Sequence, residues 1–242
     1  MITPSAQAKA ELTPTGVLRA AINMSNFLLV NARGPQGEPA GVSPSMARAL
    51  ADRLGVQVHY VPFPRPGELA DAVESWDVGL IGADPLRAEK IAFTPAYAEI
   101  AACYLVPAGS PITSIAEVDR PGVRIAVTAR SAYDLWMVRK IKHATLVHSQ
   151  SLDSATEQFV ADKLDVLAGL APKLLTDVQS MPGARILPGQ FMAVQQAIGT
   201  ARANTEAVTF LRDFVEEAKA SGAVAGLIAR HQVQGLSVAP PG

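Results

Sequence analysis

The sequence predicts an α/β protein with a mostly parallel sheet, and three observations carry that prediction. Short apolar runs alternate with longer segments of helical period along the chain, the order expected when a helix returns the chain between parallel strands. The 242 residues are 49% hydrophobic, enough for a large core and compatible with one domain or two. Val78, Leu80 and Ile81 form a brief apolar run ended by Gly82 and Asp84-Pro85, which reads as a buried strand stopped by a turn.

Taken in order, the pattern predicts a strand at Val17–Ile22, a helix at Pro44–Leu54 and a strand at Gln57–Pro62. A helix at Pro66–Ser75 and a strand at Asp77–Ile81 follow, then an outgoing strand at Ala101–Val106. Next come strand Arg124–Thr128, helix Ala132–Lys142, strand Thr145–Val147, helix Ser151–Ala161, strand Val166–Ala168 and helix Ala171–Gln179. The chain returns through Met192–Thr200 to a helix at Thr205–Ser221, whose Val208, Leu211, Phe214 and Val215 share one face. Ala223–His231 adds a final helix, and Pro240-Pro241-Gly242 is expected to be a loose tail. There is no internal repeat, and no low-complexity segment beyond alanine-rich helices.

Trp76–Tyr97 sets one arginine, Arg87, into an otherwise apolar strand-and-turn segment that resumes at Ile91, Phe93 and, past a second turn at Pro95, Tyr97. A guanidinium there lies where a strand's C-terminal end opens, the edge at which α/β sheets bind ligands. Arginine's rigid fork fits a carboxylate with two parallel hydrogen bonds. The alternative is a surface arginine after a turn.

Asp77 before the strand, Asp84-Pro85-Leu86-Arg87 at its turn and Phe93-Thr94-Pro95-Ala96-Tyr97 beyond it resemble the signature of the bacterial extracellular solute-binding proteins, family 3. These are the amino-acid-type receptors of ABC importers. Gly16–Ala21, Gly41–Gly55 and Pro121–Val127 resemble further family segments in the family's order. The resemblance implies a two-lobed, type II periplasmic-binding-protein fold, with residues 1–103 and 198–242 in one lobe and 104–197 in the other. Two hinge crossings would let the lobes close on a ligand in the cleft between them.

The same resemblance implies that Arg87 grips a ligand carboxylate and that Gly82 and Asp84 stand beside it. Gln195 and Gln196 lie near the return crossing. Phe27 is either an apolar lid or core packing. In the second lobe, Ser131 and Ala132 open a helix whose N-terminal N–H groups suit an anion, and Ser131 is equally an N-cap. Two residues depart from the family. Leu170 occupies the position of an aspartate that pairs with the ligand's α-ammonium, which turns the expectation toward a carboxylate without that amine, unless Glu99 supplies the counter-charge. Arg130 replaces a glycine ahead of the helix, and is either a second guanidinium for a dianionic ligand or a solvated side chain.

The formal net charge of −1 gives no polybasic surface for nucleic acid or anionic membrane. No apolar run approaches the ~20 residues that span a bilayer. The single cysteine, Cys103, rules out an internal disulfide and reads as a small buried hydrophobe. His59, His143, His148 and His231 are scattered, without metal-ligand spacing, and no nucleophile elbow or phosphate loop is present. No catalytic residue, metal or cofactor is therefore expected. The expectation is a monomeric, non-catalytic solute receptor for an amino acid or related organic acid, working with an ABC permease. The alternatives are a cyclohexadienyl-dehydratase-like enzyme, with Glu99 or Asp84 as acid or base, and a ligand-sensing module. Residues 1–15 show neither the basic start nor the apolar stretch of a secretory signal. The expected location is thus periplasmic if the chain is a mature form and cytoplasmic if it is complete.

Overall fold

The computed structural model describes residues 2–242. In chain order its elements are α1 (Ala6–Leu12), β1 (Leu18–Asn23), β2 (Ala32–Arg33), β3 (Pro39–Ala40), α2 (Val42–Leu54), β4 (Val58–Phe63) and α3 (Pro66–Asp71). β5 (Val78–Gly82), β6 (Ile91–Phe93), β7 (Ala98–Val106), β8 (Arg124–Thr128), α4 (Ala132–Lys140), β9 (Thr145–Ser149) and α5 (Leu152–Ala161) follow. The remainder is β10 (Val166–Leu170), α6 (Ala171–Asp177), β11 (Arg185–Ile186), β12 (Met192–Ala201), α7 (Thr205–Ala220), α8 (Ala223–Arg230) and β13 (Ser237–Val238). The chain forms two compact units, one of residues 2–99 with Gln195–Gly242 and one of Ile100–Val194. It passes from one to the other twice, within β7 and within β12.

In the first unit the strands run in the order β4-β1-β5-β12. β1 lies parallel to β4 and β5, whereas β12 runs antiparallel to β5 and also pairs with β6. Every residue of β5 is buried. Ala21, Leu69, Trp76, Ile81 and Ile91 pack as one core cluster, and Trp76 donates its indole N–H to the Leu69 carbonyl at 3.1 Å. Close strand packing requires Gly199, where a Cβ would meet Ile91 Cγ2 at 2.3 Å. In the second unit β10 is antiparallel to β7 and parallel to β8, and β9 continues the parallel set beyond β8. Its core gathers Cys103, Leu105, Ala126, Phe159, Leu164, Leu167 and Leu174. Cys103 is 6% exposed, its thiol donates to the Gly189 carbonyl at 3.3 Å, and burial raises its pKa.

One device recurs in both units. At the start of β1 the Arg19 N–H donates to the Asp77 carboxylate at 2.8 Å, and the Arg19 guanidinium closes on the same carboxylate at 2.6 Å. At the start of β8 the Arg124 N–H meets Asp165 at 2.8 Å, with Arg124 Nε at 3.3 Å. In each case an aspartate just before a strand clasps an arginine that opens the parallel neighbour. The pairing of β1 with β5 and of β8 with β10 is thereby fixed at its N-terminal end. No sequence repeat announces this, because only two residue types recur.

Several expected elements differ in detail. The stretch before Thr15 contains α1, capped by Ser5, and Glu11 accepts from the Ala207 N–H at 2.8 Å. The helix expected through Lys142 stops at Lys140, because Asp119 takes the N–H groups of Lys142, His143 and Ala144 in a turn. On α7 the buried stripe runs through Ala207, Phe210, Leu211, Phe214 and Val215, leaving Val208 at its margin. The tail is not loose. β13 pairs with β7, the Ala239 N–H reaches the Tyr97 carbonyl at 3.3 Å, and the Pro240 carbonyl accepts from Lys219 at 2.7 Å.

Candidate functional site

In the first unit the C-terminal end of β5 is the focus. Gly82 pairs in register with Gln196 of β12, and the Ala83 N–H donates to the Gln195 carbonyl at 2.7 Å. Asp84 then turns the chain, its Oδ1 accepting from the Leu86 N–H at 2.9 Å, an Asx turn of the kind its Pro85 neighbour favours. That turn delivers Arg87 at the start of a single 3₁₀ turn, Arg87–Glu89. Arg87 is only 6% exposed, and its Nη1 donates to the Gly82 carbonyl at 2.6 Å. The arginine is therefore folded back against the strand end that precedes it, which orients its planar head. Gln195 donates its side-chain N–H to Glu99 at 2.8 Å. Gly82, Asp84, Arg87, Gln195, Gln196 and Glu99 thus form one linked neighbourhood of hydrogen bonds and consecutive backbone.

Phe27 follows β1, which lies beside β5, so both strands open at the same sheet edge. It is 38% exposed, which sets aside the core-packing alternative. Tyr97 is fully buried, shares a hydrogen bond with Ser43 at 2.8 Å, and burial pushes its phenol well above the ordinary value. Its N–H donates to the Gln196 carbonyl at 2.8 Å, which ties the backbone at the end of the motif to β12.

In the second unit the parallel strands β8 and β10 end together. Ser131 is the N-cap of α4, its hydroxyl accepting from the Asp134 N–H at 3.1 Å, and Ala132 is the first helical residue. Leu170 ends β10, lies 6% exposed and occupies the N-cap position of α6 without a side-chain cap. Asp134 is buried and doubly engaged, by the Arg130 N–H at 2.7 Å and by His148 Nε2 at 2.9 Å.

Arg130 adopts a left-handed backbone, φ 58°, which costs an L-residue roughly 1–2 kcal/mol relative to glycine. Its N–H bond to Asp134 holds that turn. Arg130→Gly keeps the N–H and removes the strain, partly offset by the greater freedom of glycine when unfolded. We expect it to raise stability by ~0.5 kcal/mol, read as a slightly higher urea midpoint. A fall of ~1 kcal/mol or more would show that the Arg130 side chain holds the turn.

Two α/β units joined by two chain passages, with ligand-type groups at the C-terminal ends of their strands, define a type II periplasmic-binding-protein fold. The chain belongs to the bacterial extracellular solute-binding proteins, family 3, whose sequence profile matches residues 20–234. Solved structures agree on the fold. A mutant of ArgBP from T. maritima is 19% identical, with a TM-score of 0.73 over 94% of this chain and 100% of that one. A solute receptor for L-cysteine of Neisseria gonorrhoeae is 18% identical, with a TM-score of 0.73 over 92% of each chain. The ancestral amino-acid-binding protein AncCDT-1, a precursor of cyclohexadienyl dehydratase, is 18% identical, with a TM-score of 0.72 over 92% of this chain and 98% of that one. A search of curated protein sequences finds no match. Among the described residues no helix is long and apolar enough to cross a membrane, and no three His, Cys, Asp or Glu side chains form a group that could hold a metal ion.

Proposed function

We propose that the protein is a non-catalytic receptor that captures a small organic acid by its carboxylate and presents it to an ABC-type permease. Arg87 carries the reading. It is a nearly buried guanidinium held at the C-terminal end of β5 by the Gly82 carbonyl, in a chain whose family binds solutes. The rigid guanidinium fork suits a carboxylate, which it can hold with two parallel hydrogen bonds. Gly82, Asp84, Gln195, Gln196 and Phe27 are proposed as its surroundings in the first unit. Ser131, Ala132 and Leu170 are the contributors of the second.

Of the relatives named above, ArgBP is also described in an arginine-bound form, the Neisseria protein as a receptor for L-cysteine and AncCDT-1 as an amino-acid-binding protein. At 18–19% identity they share the fold, and ligand choice rests on this chain's own residues. Leu170 presents a hydrocarbon where a cationic amine would need a counter-charge, and leaving a buried ammonium unpaired costs several kcal/mol. We therefore expect a keto acid to bind better than the matching amino acid. Leu170→Asp should shift that preference toward the amino acid by about tenfold, a differential of ~1.4 kcal/mol. Calorimetric titration of one matched pair against both proteins checks this. Equal affinity for the pair in the unmodified protein would return the counter-charge to Glu99.

The reading as a whole is tested by a thermal-shift screen of amino acids, keto and hydroxy acids, aromatic acids and dicarboxylates, since a ligand that binds only the folded state raises Tm. Turnover of a bound cyclohexadienyl acid would instead support the dehydratase alternative.

A further inference from the structure

The second unit carries an open cleft of about 790 Å3 whose lining includes Pro107, Phe159, Val160, Leu164, Met181 and Pro182. Its place follows from strand register. Leu167 of β10 pairs with Leu105 of β7, and Leu170 with Ala102. Pro107, just past β7, and Leu164, just ahead of β10, therefore lie at the N-terminal end of β10, whereas Leu170 ends that strand at the opposite edge. Phe159 and Leu164 are buried at 3% exposure each, but Val160, next along α5, stands 56% exposed. A large apolar side chain left in water beside an apolar cleft marks a surface suited to being covered.

Two opposite charges flank Val160 at equal spacing. Glu157 lies one turn before it on α5 and Lys163 three residues after it, and both are exposed and line the cleft. Lys163 has a left-handed backbone, φ 48°, held by its own N–H to the Val160 carbonyl at 3.3 Å and by the Arg124 guanidinium, which donates to the Lys163 carbonyl at 2.5 Å. Helices commonly end on a glycine in that conformation; here the residue carries a cation instead. Among the described residues neither the Glu157 carboxylate nor the Lys163 ammonium has an ion-pair or hydrogen-bond partner. Their neighbours Asp165 and Asp162 are engaged, by Arg124 and by Gln158. The rim thus reads acid, valine, base along the chain, with both charges available.

We propose that this face joins two copies of the chain about a two-fold axis passing near Val160. In such a contact a residue meets a given position on the second copy, and that position's counterpart meets it in return. Because Glu157, Val160 and Lys163 are evenly spaced, antiparallel crossing of two α5 ends sets each Glu157 beside the second copy's Lys163 while each Val160 enters the other's cleft. Acid, valine, base is its own complement when reversed. A small charged ligand does not match the rim in this way, since an anion would face Glu157 and a cation Lys163. A formal net charge of −1 per chain lets two copies approach without strong mutual repulsion. One helix end and one cleft make a small interface, so the association is reversible and concentration-dependent. It leaves the Leu170 edge of this unit open and does not depend on the reading of Arg87.

The test is sedimentation equilibrium of the full chain across a wide range of protein concentration, with circular dichroism to establish that each variant is folded. The parent should pass reversibly from monomer to dimer as concentration rises, and added salt should weaken the dimer. Val160→Asp, Glu157→Lys and Lys163→Glu should each weaken dimerisation by about tenfold or more, the last two by setting like charges opposite one another. The double variant Glu157→Lys/Lys163→Glu should regain the parent's dimerisation. Mixing the two single charge variants should also restore association, as a heterodimer, because each then meets the opposite sign. A parent that stays monomeric at its highest soluble concentration overturns the inference. If that monomer binds the apolar dye 1-anilinonaphthalene-8-sulfonate and Val160→Asp abolishes the binding, the cleft takes a small apolar molecule instead. A dimer indifferent to Val160→Asp and to the single charge changes uses another surface, and one that neither the double variant nor the mixture restores lacks the two-fold pairing; either result overturns the proposal.

Discussion

Arg87→Ala is expected to weaken binding of the cognate carboxylate by about 30-fold or more, because truncating one partner of a desolvated charge pair typically costs ~2–5 kcal/mol. The geometry explains why the effect should be large. Arg87 is 6% exposed and braced by the Gly82 carbonyl at 2.6 Å, so little rotamer entropy remains to be lost when a ligand arrives. Alanine would leave the ligand carboxylate in a space lacking its fork and would also release the Gly82 carbonyl. Arg87→Lys separates charge from shape. It keeps a cation but loses the two parallel donors, and should fall between the parent and the alanine variant. The measurement is calorimetric titration, with far-ultraviolet circular dichroism to establish that each variant is folded. An Arg87→Ala protein that is folded and binds with unchanged affinity would remove Arg87 from the site.

What the sequence made legible followed from local periodicity and turn chemistry. The run Val78–Ile81 with Gly82 and Asp84-Pro85 specifies a buried strand and its stop using neighbouring residues alone, and β5 and the Asx turn at Asp84 appear there. Ser131 before an apolar stretch likewise marks the N-cap of α4. Features that depend on distant partners were not legible. Leu12 is fully buried, yet the α1 segment reads only as a polar, alanine-rich start, because α7 lies far along the chain. The C-terminal tail looked loose from its prolines and glycine, and is held by a strand pairing with β7 and by the Lys219 ammonium. The left-handed Arg130 was noticed as a departure from a glycine, whereas the reason, φ 58°, is a property of the backbone.

The paired clasps allow burial to be tested against an internal control. Asp77→Ala should cost ~3 kcal/mol, toward the lower end of the penalty for breaking a buried ion pair, and lower Tm by roughly 6–12 °C for a chain of this size. Its side chain is 2% exposed and receives both the Arg19 backbone N–H and the guanidinium. Removal strands two donors at the point where β1 meets β5. In the second unit Asp165 receives the same pair of groups from Arg124, but the two side chains are 39% and 45% exposed. Water can solvate whatever Asp165→Ala releases, and exposed pairs contribute ~0–1 kcal/mol. Urea unfolding of the two single variants, monitored by circular dichroism, gives the comparison. A cost for Asp77→Ala at least twice that for Asp165→Ala would mean that desolvation, and not the hydrogen-bond pattern the two sites share, sets the strength of the clasp. Equal costs would place the energy in the strand pairing that both aspartates hold in register.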